Sequence, residues 1–555
     1  MKLHIMLAYV LILGTLASCD DFFDTAPKDA LSPSTFWKTE DDAQKAVVAC
    51  YQDWNNPATG SSDVLFADCM SDISYSHTGS SNYKYVANGS TYSSSTVSYY
   101  SYTTIRRCNT VLAYIDEVPF TDQKTRDDLV GQVRAIRAWR YFQMNFWYGG
   151  VPLITDLPQT AEEAQIPRTD EATVRQFVYD EIDRAIDELN EKPAARGRIA
   201  KGTALAIKMR SALYWGDLDR SLEAARAIQN LHQYEIEHGL SFLQLFSLEG
   251  RDSKEIICSM QHVLNTYEFG NTVRMFSNAD GGWSSFVPTQ SFVESFEMDN
   301  GMMPTEEGSG YDERHPFANR DPRLYNTVVY PGQDWLGANG KMRIFNTLDR
   351  IINGANNPDY MDAATNATHT GMIWAKYTTP ISQYSASMYN DELCPILFRY
   401  AEVLLTIAEI NVEKNQNFDE VYAILDELRT RGGHRPVDRS KYNSQATLRE
   451  LVRRERCIEL AGEGLRRADI VRWKDVNGKM LAETLLNGTL YRMVGTVDES
   501  NPDPHMRAVI ELPSEDNKKL RTLEVRTFEP YQRYLPIPLS QLNTNPKLTQ
   551  TPGYD

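Results

Sequence analysis

Cys19 is the residue whose position most narrowly limits its chemistry. It directly follows Leu16-Ala17-Ser18. A small-residue cleavage site ending at a cysteine is the pattern of a lipobox. There the thiol is alkylated with diacylglycerol, the peptide is cut before the cysteine, and the new amine is acylated. The preceding residues complete a secretory signal, with Lys2 near the start and an apolar run from Ile5 to Leu13. That run is too short to span a bilayer, which takes roughly 20 residues. Residues 1–18 are therefore expected to be removed, leaving Cys19 as a lipidated first residue. Acyl chains contribute about 0.8 kcal/mol per buried CH₂, so two or three of them anchor stably. Asp20, Asp21 and Asp24 follow at once. Carboxylates do not favour anionic headgroups, so the lipid alone carries the anchoring.

No other spacing identifies a catalyst. H-E-x-x-H, G-x-S-x-G, the P-loop and the dinucleotide fingerprint are all absent. The 9 His are dispersed, with none at metal-ligand spacing, and no cofactor is expected. The Asp-rich loops show no calcium-ligand spacing either. Glycosidases need two carboxylates facing each other across a cleft, which the adjacent pair Glu306-Glu307 cannot supply alone. The densest charged motif is Glu455, Arg456, Glu459, Glu463, Arg466, Arg467, Asp469 and Arg472. Its three glutamates fall at i, i+4 and i+8, on one face of a helix. The motif reads as an ion-paired scaffold that pins the last helix to the tail. After Cys19, six cysteines remain, without a C-x-x-C. Cys108 and Cys457 sit in helical patterns and read as buried thiols. Cys50–Cys69 is the one pair to consider as a disulfide.

The other chemistry is that of surfaces. Tyr, at 30, outnumbers Phe, at 20, which exceeds what core packing alone asks for. Tyr and Trp present an apolar face and a polar edge, a combination suited to stacking on sugars or peptides. They concentrate in two irregular stretches. Residues 73–104 are Ser- and Gly-rich and hold seven Tyr. Residues 232–394 are rich in Gly, Asn, Pro, Tyr and Trp, and read as long loops with short elements, a lobe rather than a linker. The net charge of −18, without a basic stripe, argues against nucleic acid as a partner.

Helices must position these stretches. Leu129, Val133, Ile136, Trp139, Phe142 and Phe146 recur at a 3.6-residue period and predict a helix over 122–148, stopped by Gly149-Gly150 with Pro152 beyond. Further helices are predicted over 171–190, 200–215, 219–231, 396–414 and 418–431, with a capping box of Thr447 and Glu450 opening 448–462. Small residues such as Ala204, Ala206 and Ala212 let neighbours approach closely, and helix–turn–helix units of about 34 residues have the tetratricopeptide shape. The chain divides into a signal (1–18), a first helical region with the Tyr-rich loop (19–231), an irregular ligand-facing lobe (232–394), and a last helical region with an irregular, Pro-rich tail (395–555).

Several segments, taken in order, resemble the SusD/RagB family of outer-membrane nutrient-binding lipoproteins. They are Cys19 through Pro27; Arg137-Ala138-Trp139-Arg140-Tyr141-Phe142 with Tyr148-Gly149-Gly150-Val151-Pro152-Leu153; Arg399-Tyr400-Ala401-Glu402-Val403-Leu404-Leu405 with Ala408-Glu409; Leu428-Arg429-Thr430-Arg431-Gly432-Gly433; Glu455 to Asp469 with Arg472-Trp473; and Leu535-Pro536-Ile537-Pro538 with Thr551-Pro552-Gly553-Tyr554. The resemblance implies a mainly α fold, with four tetratricopeptide-like helix pairs forming a right-handed scaffold under an irregular loop-rich lobe. It implies a surface lipoprotein, held on the extracellular side of the outer membrane by its lipid. Asp20-Asp21 is similar to the acidic export tether of such proteins. The role implied is to capture a glycan and pass it, without catalysis, to a TonB-dependent SusC-like transporter. An oligopeptide ligand is the alternative within the family; a glycan-degrading enzyme and a pure assembly scaffold are the others. The binding surface implied is an aromatic arc from the two irregular stretches. Its candidates here are Asp72, Tyr75, Tyr83, Tyr85 and Tyr99 from the early loop, and Trp283, Tyr311 and Trp335 from the lobe. Several relatives carry Trp just before the helix that Tyr102, Ile105 and Asn109 match. This chain has Tyr99-Tyr100, so a starch-type arc is not implied.

Overall fold

A computed structural model describes residues 36–52, 54, 61–77, 82–378 and 387–554, with 61–63 by backbone alone. The signal, Cys19 and the acidic residues after it lie outside the described residues. Nine helices carry the frame. They are α1 (Glu40–Cys50), α2 (Thr103–Tyr114), α3 (Gln123–Tyr148), α4 (Glu171–Glu188), α5 (Lys201–Trp215), α6 (Leu218–Asn230), α7 (Tyr400–Glu413), α8 (Phe418–Arg431) and α9 (Gln445–Glu459). They pack as successive pairs, α1 on α2, α3 on α4, α5 on α6 and α7 on α8, and each pair touches the next. The fold is mainly α, in tetratricopeptide-like pairs, with only short two-stranded sheets.

Local chemistry sets the helix ends. Asp122, Asp170 and Asp217 accept from backbone N–H groups in the first turns of α3, α4 and α6. Gly216 closes α5 in the left-handed region, at φ 80°. The predicted stripe of α3 is buried throughout, and so are Arg137, Arg140 and Gln143, because neighbours cover this helix on every side. Buried ion pairs tie the layers. Arg137 donates to Glu181 of α4 at 2.9 Å and 2.5 Å, and Arg210 of α5 donates to Glu402 of α7 at 2.8 Å and 2.6 Å.

Three expectations change. Residues 396–399 are a strand, β2 (Ile396–Arg399), antiparallel to β1 (Ile256–Ser259); the helix begins only at Tyr400. The lobe therefore leaves and rejoins the helices through one small sheet. The capping box of α9 is Ser444 with Thr447, three residues ahead of the expected one, because the Ser444 hydroxyl reaches the Thr447 N–H. Cys50 and Cys69 are free thiols, separated into different cores. Cys50 donates to the Ala46 carbonyl at 3.5 Å, and Cys69 lies 3.3 Å from the Ser74 hydroxyl.

The glutamate face of α9 is buried, and its partners lie mostly in the lobe and at its root rather than in the tail. Glu455 accepts from Arg323 at 2.6 Å and pairs with Arg429. Glu459 accepts from Arg399 at 2.6 Å and pairs with Arg431. Glu463, just beyond the helix, accepts from Arg399 at 2.7 Å and from Lys376 at 3.0 Å. The tail helix α10 (Arg466–Arg472) is tied to α7 by Arg472, which binds Glu409, and to α9 by Arg456, which reaches Asp469 at 2.9 Å, so Arg456 of the motif, not its glutamates, pins α9 to the tail.

These pairs give stability a pH dependence. Burial alone would raise the Glu409 carboxyl, but Arg472 and Arg456 overcome it and hold it at about 2. Glu459 is held low in the same way, burial being outweighed by Arg431 and Arg399. A carboxyl whose folded pKa lies below its unfolded value stabilises fully above the unfolded value, about 4.3, and loses that contribution as pH falls through the folded one. Asp68 is opposite in sign. Burial raises it to about 6 against the backbone N–H groups of Arg466, Gly464 and Gly462, so its contribution fades as pH rises through 6. The thermal midpoint is expected to fall steeply as pH drops from 4.5 to 2, and to lose a smaller amount as pH rises from about 4 to 6, levelling off above 6 where Asp68 is ionised in both states. A midpoint flat from pH 5 to 2.5 would contradict this assignment.

Candidate functional site

The candidate site is an aromatic platform that draws on both irregular stretches. In the early stretch, Tyr83 begins a short helix, Tyr83–Ala87, within what the sequence reads as loop. Its ring stacks on Phe66 at 5.9 Å between centroids. The same Phe66 ring lies 5.4 Å from the Arg274 guanidinium carbon. That carbon is also 5.7 Å from the Trp283 ring, and Trp283 meets Tyr389 edge-on at 5.9 Å. Tyr83, Phe66, Arg274, Trp283 and Tyr389 thus form one continuous chain of rings around a single cation.

Backbone bonds hold the lobe half of the platform. The Trp283 N–H donates to the Val273 carbonyl at 2.7 Å, Ser285 N–H donates to the Arg274 carbonyl at 2.8 Å, and Val273 N–H donates to the Met388 carbonyl at 3.1 Å. The turn into Trp283 needs glycine at Gly282, where a Cβ would sit 2.3 Å from the Phe276 carbonyl oxygen. Tyr389 rides a turn closed by Asn390 N–H on the Ser387 carbonyl, and Asn390 is tied across to Asn265 at 2.6 Å. Tyr389 is 54 % exposed, and Trp283 is partly exposed. Both rings therefore offer apolar surface to solvent from a fixed backbone.

The other sequence candidates fall in different places. Tyr75 is buried, paired with Val287 in a two-residue strand, and belongs to the lobe's core. Tyr99 is buried and stacks on Trp147 at 5.5 Å. Trp335 is buried, with its indole N–H donating to Asp280 at 3.1 Å. None of these three turns a ring face outward, so the arc expected of them is corrected. The Trp335 indole N–H finds its partner inside the protein, which lets such a ring serve as core. Asp72 is held by Arg466 in a two-pronged pair at 2.9 Å and 2.8 Å, at the edge of a cavity of about 230 Å³. Its carboxylate is occupied by that guanidinium rather than waiting for sugar hydroxyls. Tyr85 is partly exposed, with the Lys84 ammonium 5.6 Å from its ring. Tyr311 is partly buried and lines a cavity of about 420 Å³ with Gln290, Glu294, Glu313 and Leu512. Burial raises its phenol to about 12, so it is a neutral hydroxyl there. The structure thus brings Tyr83 and Trp283 together and sets Tyr311 and Asp72 apart from them.

Sequence reasoning missed Phe66, Arg274 and Tyr389. Only Tyr389 had a signal, a large ring in the turn-forming Ser387-Met388-Tyr389-Asn390.

Comparison with known proteins agrees with this architecture. Residues 255–554 match the SusD family, and residues 21–196 match a family described as starch-binding, associating with the outer membrane. SusD-like protein P25 of Formosa agariphila is 24 % identical over 99 % of this chain and 98 % of its own length. A SusD-like carbohydrate-binding protein from Bacteroides fragilis superimposes with a TM-score of 0.76 at 25 % identity, covering 93 % of this chain and 100 % of its own. A laminarin-binding SusD-like protein superimposes at 0.66 with 19 % identity, covering 93 % of this chain and 100 % of its own.

Proposed function

The chain belongs to the SusD family, and we propose that it captures an oligo- or polysaccharide at the cell surface and hands it, without catalysis, to a TonB-dependent SusC-like transporter. The observation that carries this reading is the platform of Trp283, Tyr389, Arg274 and Tyr83. Sugar rings present C–H faces that an aromatic face covers, and Trp283 and Tyr389 are exposed enough to do so. Tyr85 extends the early side of the surface. Residues 232–394 supply the lobe half of the ligand face, and the helix pairs on either side present it towards the barrel. The names of the carbohydrate-binding relatives support a glycan over other ligands.

Calorimetry across a panel of polysaccharides tests the reading. At least one glycan is expected to bind at micromolar concentration, with no reducing sugar released. Binding of oligopeptides and of no glycan would replace it with peptide capture, and release of reducing sugar would replace it with an enzyme.

Anchoring through Cys19 completes the proposal: the lipid keeps the binder within reach of its transporter on the extracellular face of the outer membrane. A Cys19→Ala chain is expected to leave the membrane fraction while binding glycan unchanged, since a single acylated residue carries the attachment. Retention in membranes that lack the transporter would contradict it.

A further inference from the structure

Arg274 is the unusual member of the platform. The chain has 75 acidic side chains against 57 Lys and Arg. Carboxylates are plentiful, and nearby guanidiniums find them: Arg343 pairs with Asp280 at 3.0 Å and Asp359 at 2.9 Å. Among the described residues no carboxylate pairs with Arg274. Burial lowers its pKa, and no charged side chain offsets that cost. Asp391 accepts from the Leu393 N–H at 3.0 Å, and among the described residues no ion pair joins it to Arg274. Arg274 is instead sandwiched between the rings of Phe66 and Trp283, which fix its position and leave its N–H groups to find partners outside the protein. Lys84, next to Tyr83, is a second cation without a carboxylate partner among the described residues. It sits close enough to the His77–His369 pair to lower both imidazoles, after burial and their neighbouring charges have done so.

We infer that the platform selects an acidic glycan, in which a carboxylate or sulfate on the sugar stacked at Trp283 pairs with Arg274. The inference rests on the glycan-capture reading and adds the charge class of the ligand. A guanidinium fork matches the paired oxygens of either group. A half-desolvated cation held ready gains more from an anion than an exposed one does. The acidic chain as a whole repels a polyanion at long range, so discrimination is local. Arg274 acts within the roughly 10 Å over which charges are felt in dilute salt.

The test is calorimetry of the purified mature protein with four polymers: a polyuronate, the same polymer with its carboxylates reduced to alcohols, a sulfated polysaccharide, and a neutral β-glucan. The polyuronate or the sulfated polymer is expected to bind at least about tenfold more tightly than the reduced and neutral ones, the size of a charge-assisted hydrogen bond. Whichever gains identifies the anion. Arg274→Gln is expected to remove that preference, and Arg274→Lys to restore part of it. Unchanged circular dichroism and thermal midpoint in both variants assign the loss to the site. Equal binding of the reduced and intact polyuronate, or an Arg274→Gln chain that keeps the acidic preference, overturns the inference and leaves glycan capture standing. Binding of oligopeptides and none of the four polymers overturns both.

Discussion

Arg399→Leu is expected to destabilise the protein by about 3–5 kcal/mol, read as a fall in the urea midpoint at pH 7. Arg399 ends β2 and is 1 % exposed. Its guanidinium donates to Glu255 at 2.8 Å, Glu459 at 2.6 Å and Glu463 at 2.7 Å, and also to the Glu459 carbonyl at 2.7 Å. Leucine would leave three buried carboxylates facing two cations, Arg431 and Lys376. Lys376 is a poor substitute, since burial already lowers its ammonium. The loss would come from stranding charge rather than from deleting one attraction, which is why breaking one partner costs more than the pair is worth. Arg399→Lys keeps the charge but reaches fewer of these oxygens, so its loss should be intermediate. A shift below about 1 kcal/mol for the leucine variant would mean that the glutamates protonate or rearrange, and that the network does not hold the root of the lobe.

That network also marks where sequence reading stops. Glu455 and Glu459 were legible as one face of α9, because helix periodicity is local; Glu463 joins them from the turn just past the helix end, not from the helix expected there. Their partners were not legible. Arg323, Lys376 and Arg431 come from distant points of the chain, and Arg399 is placed by the pairing of β1 with β2. The same pairing explains the misread strand. Ile396-Leu397-Phe398 is a short apolar run running into a helix, and nothing within such a run separates strand from helix. Its fate depends on Ile256–Ser259. The long helices were legible because their apolar stripes recur over four or more turns, as in α3, and because Asp, Ser and Gly mark their ends.

The binding surface was legible as two regions and illegible as a set of side chains. Tyr-rich composition pointed to both stretches, and Tyr83 and Trp283 do meet through Phe66 and Arg274. Composition carries no information on which rings turn inward. Tyr99 and Trp335 look like surface aromatics in sequence, yet Trp147 stacks on one and Asp280 binds the other. Arg274 has no motif around it at all. Its meaning comes from rings contributed by positions 66 and 283, and from the absence of a carboxylate partner among the described residues.

Trp283→Ala is expected to weaken glycan binding by about 10- to 100-fold, measured by calorimetry with whichever polymer binds the native chain. A sugar covering about 80 Å² of the indole face would contribute about 2 kcal/mol at about 25 cal/mol per Å², or about 30-fold. Truncation would also free the Arg274 guanidinium on one side and remove the edge contact that steadies Tyr389. Trp283→Phe preserves a ring of smaller area and should lose only a few-fold. Stability should change little, because Trp283 packs against the lobe's core from outside rather than within it. Tyr75→Phe is the matched control: it keeps a buried ring and deletes one hydroxyl, and binding should not change. If Tyr75→Phe abolished binding while Trp283→Ala bound normally, the ligand would lie on the other side of the strand pair Ser74–Tyr75 and Val287–Pro288, and the platform would be packing rather than a site.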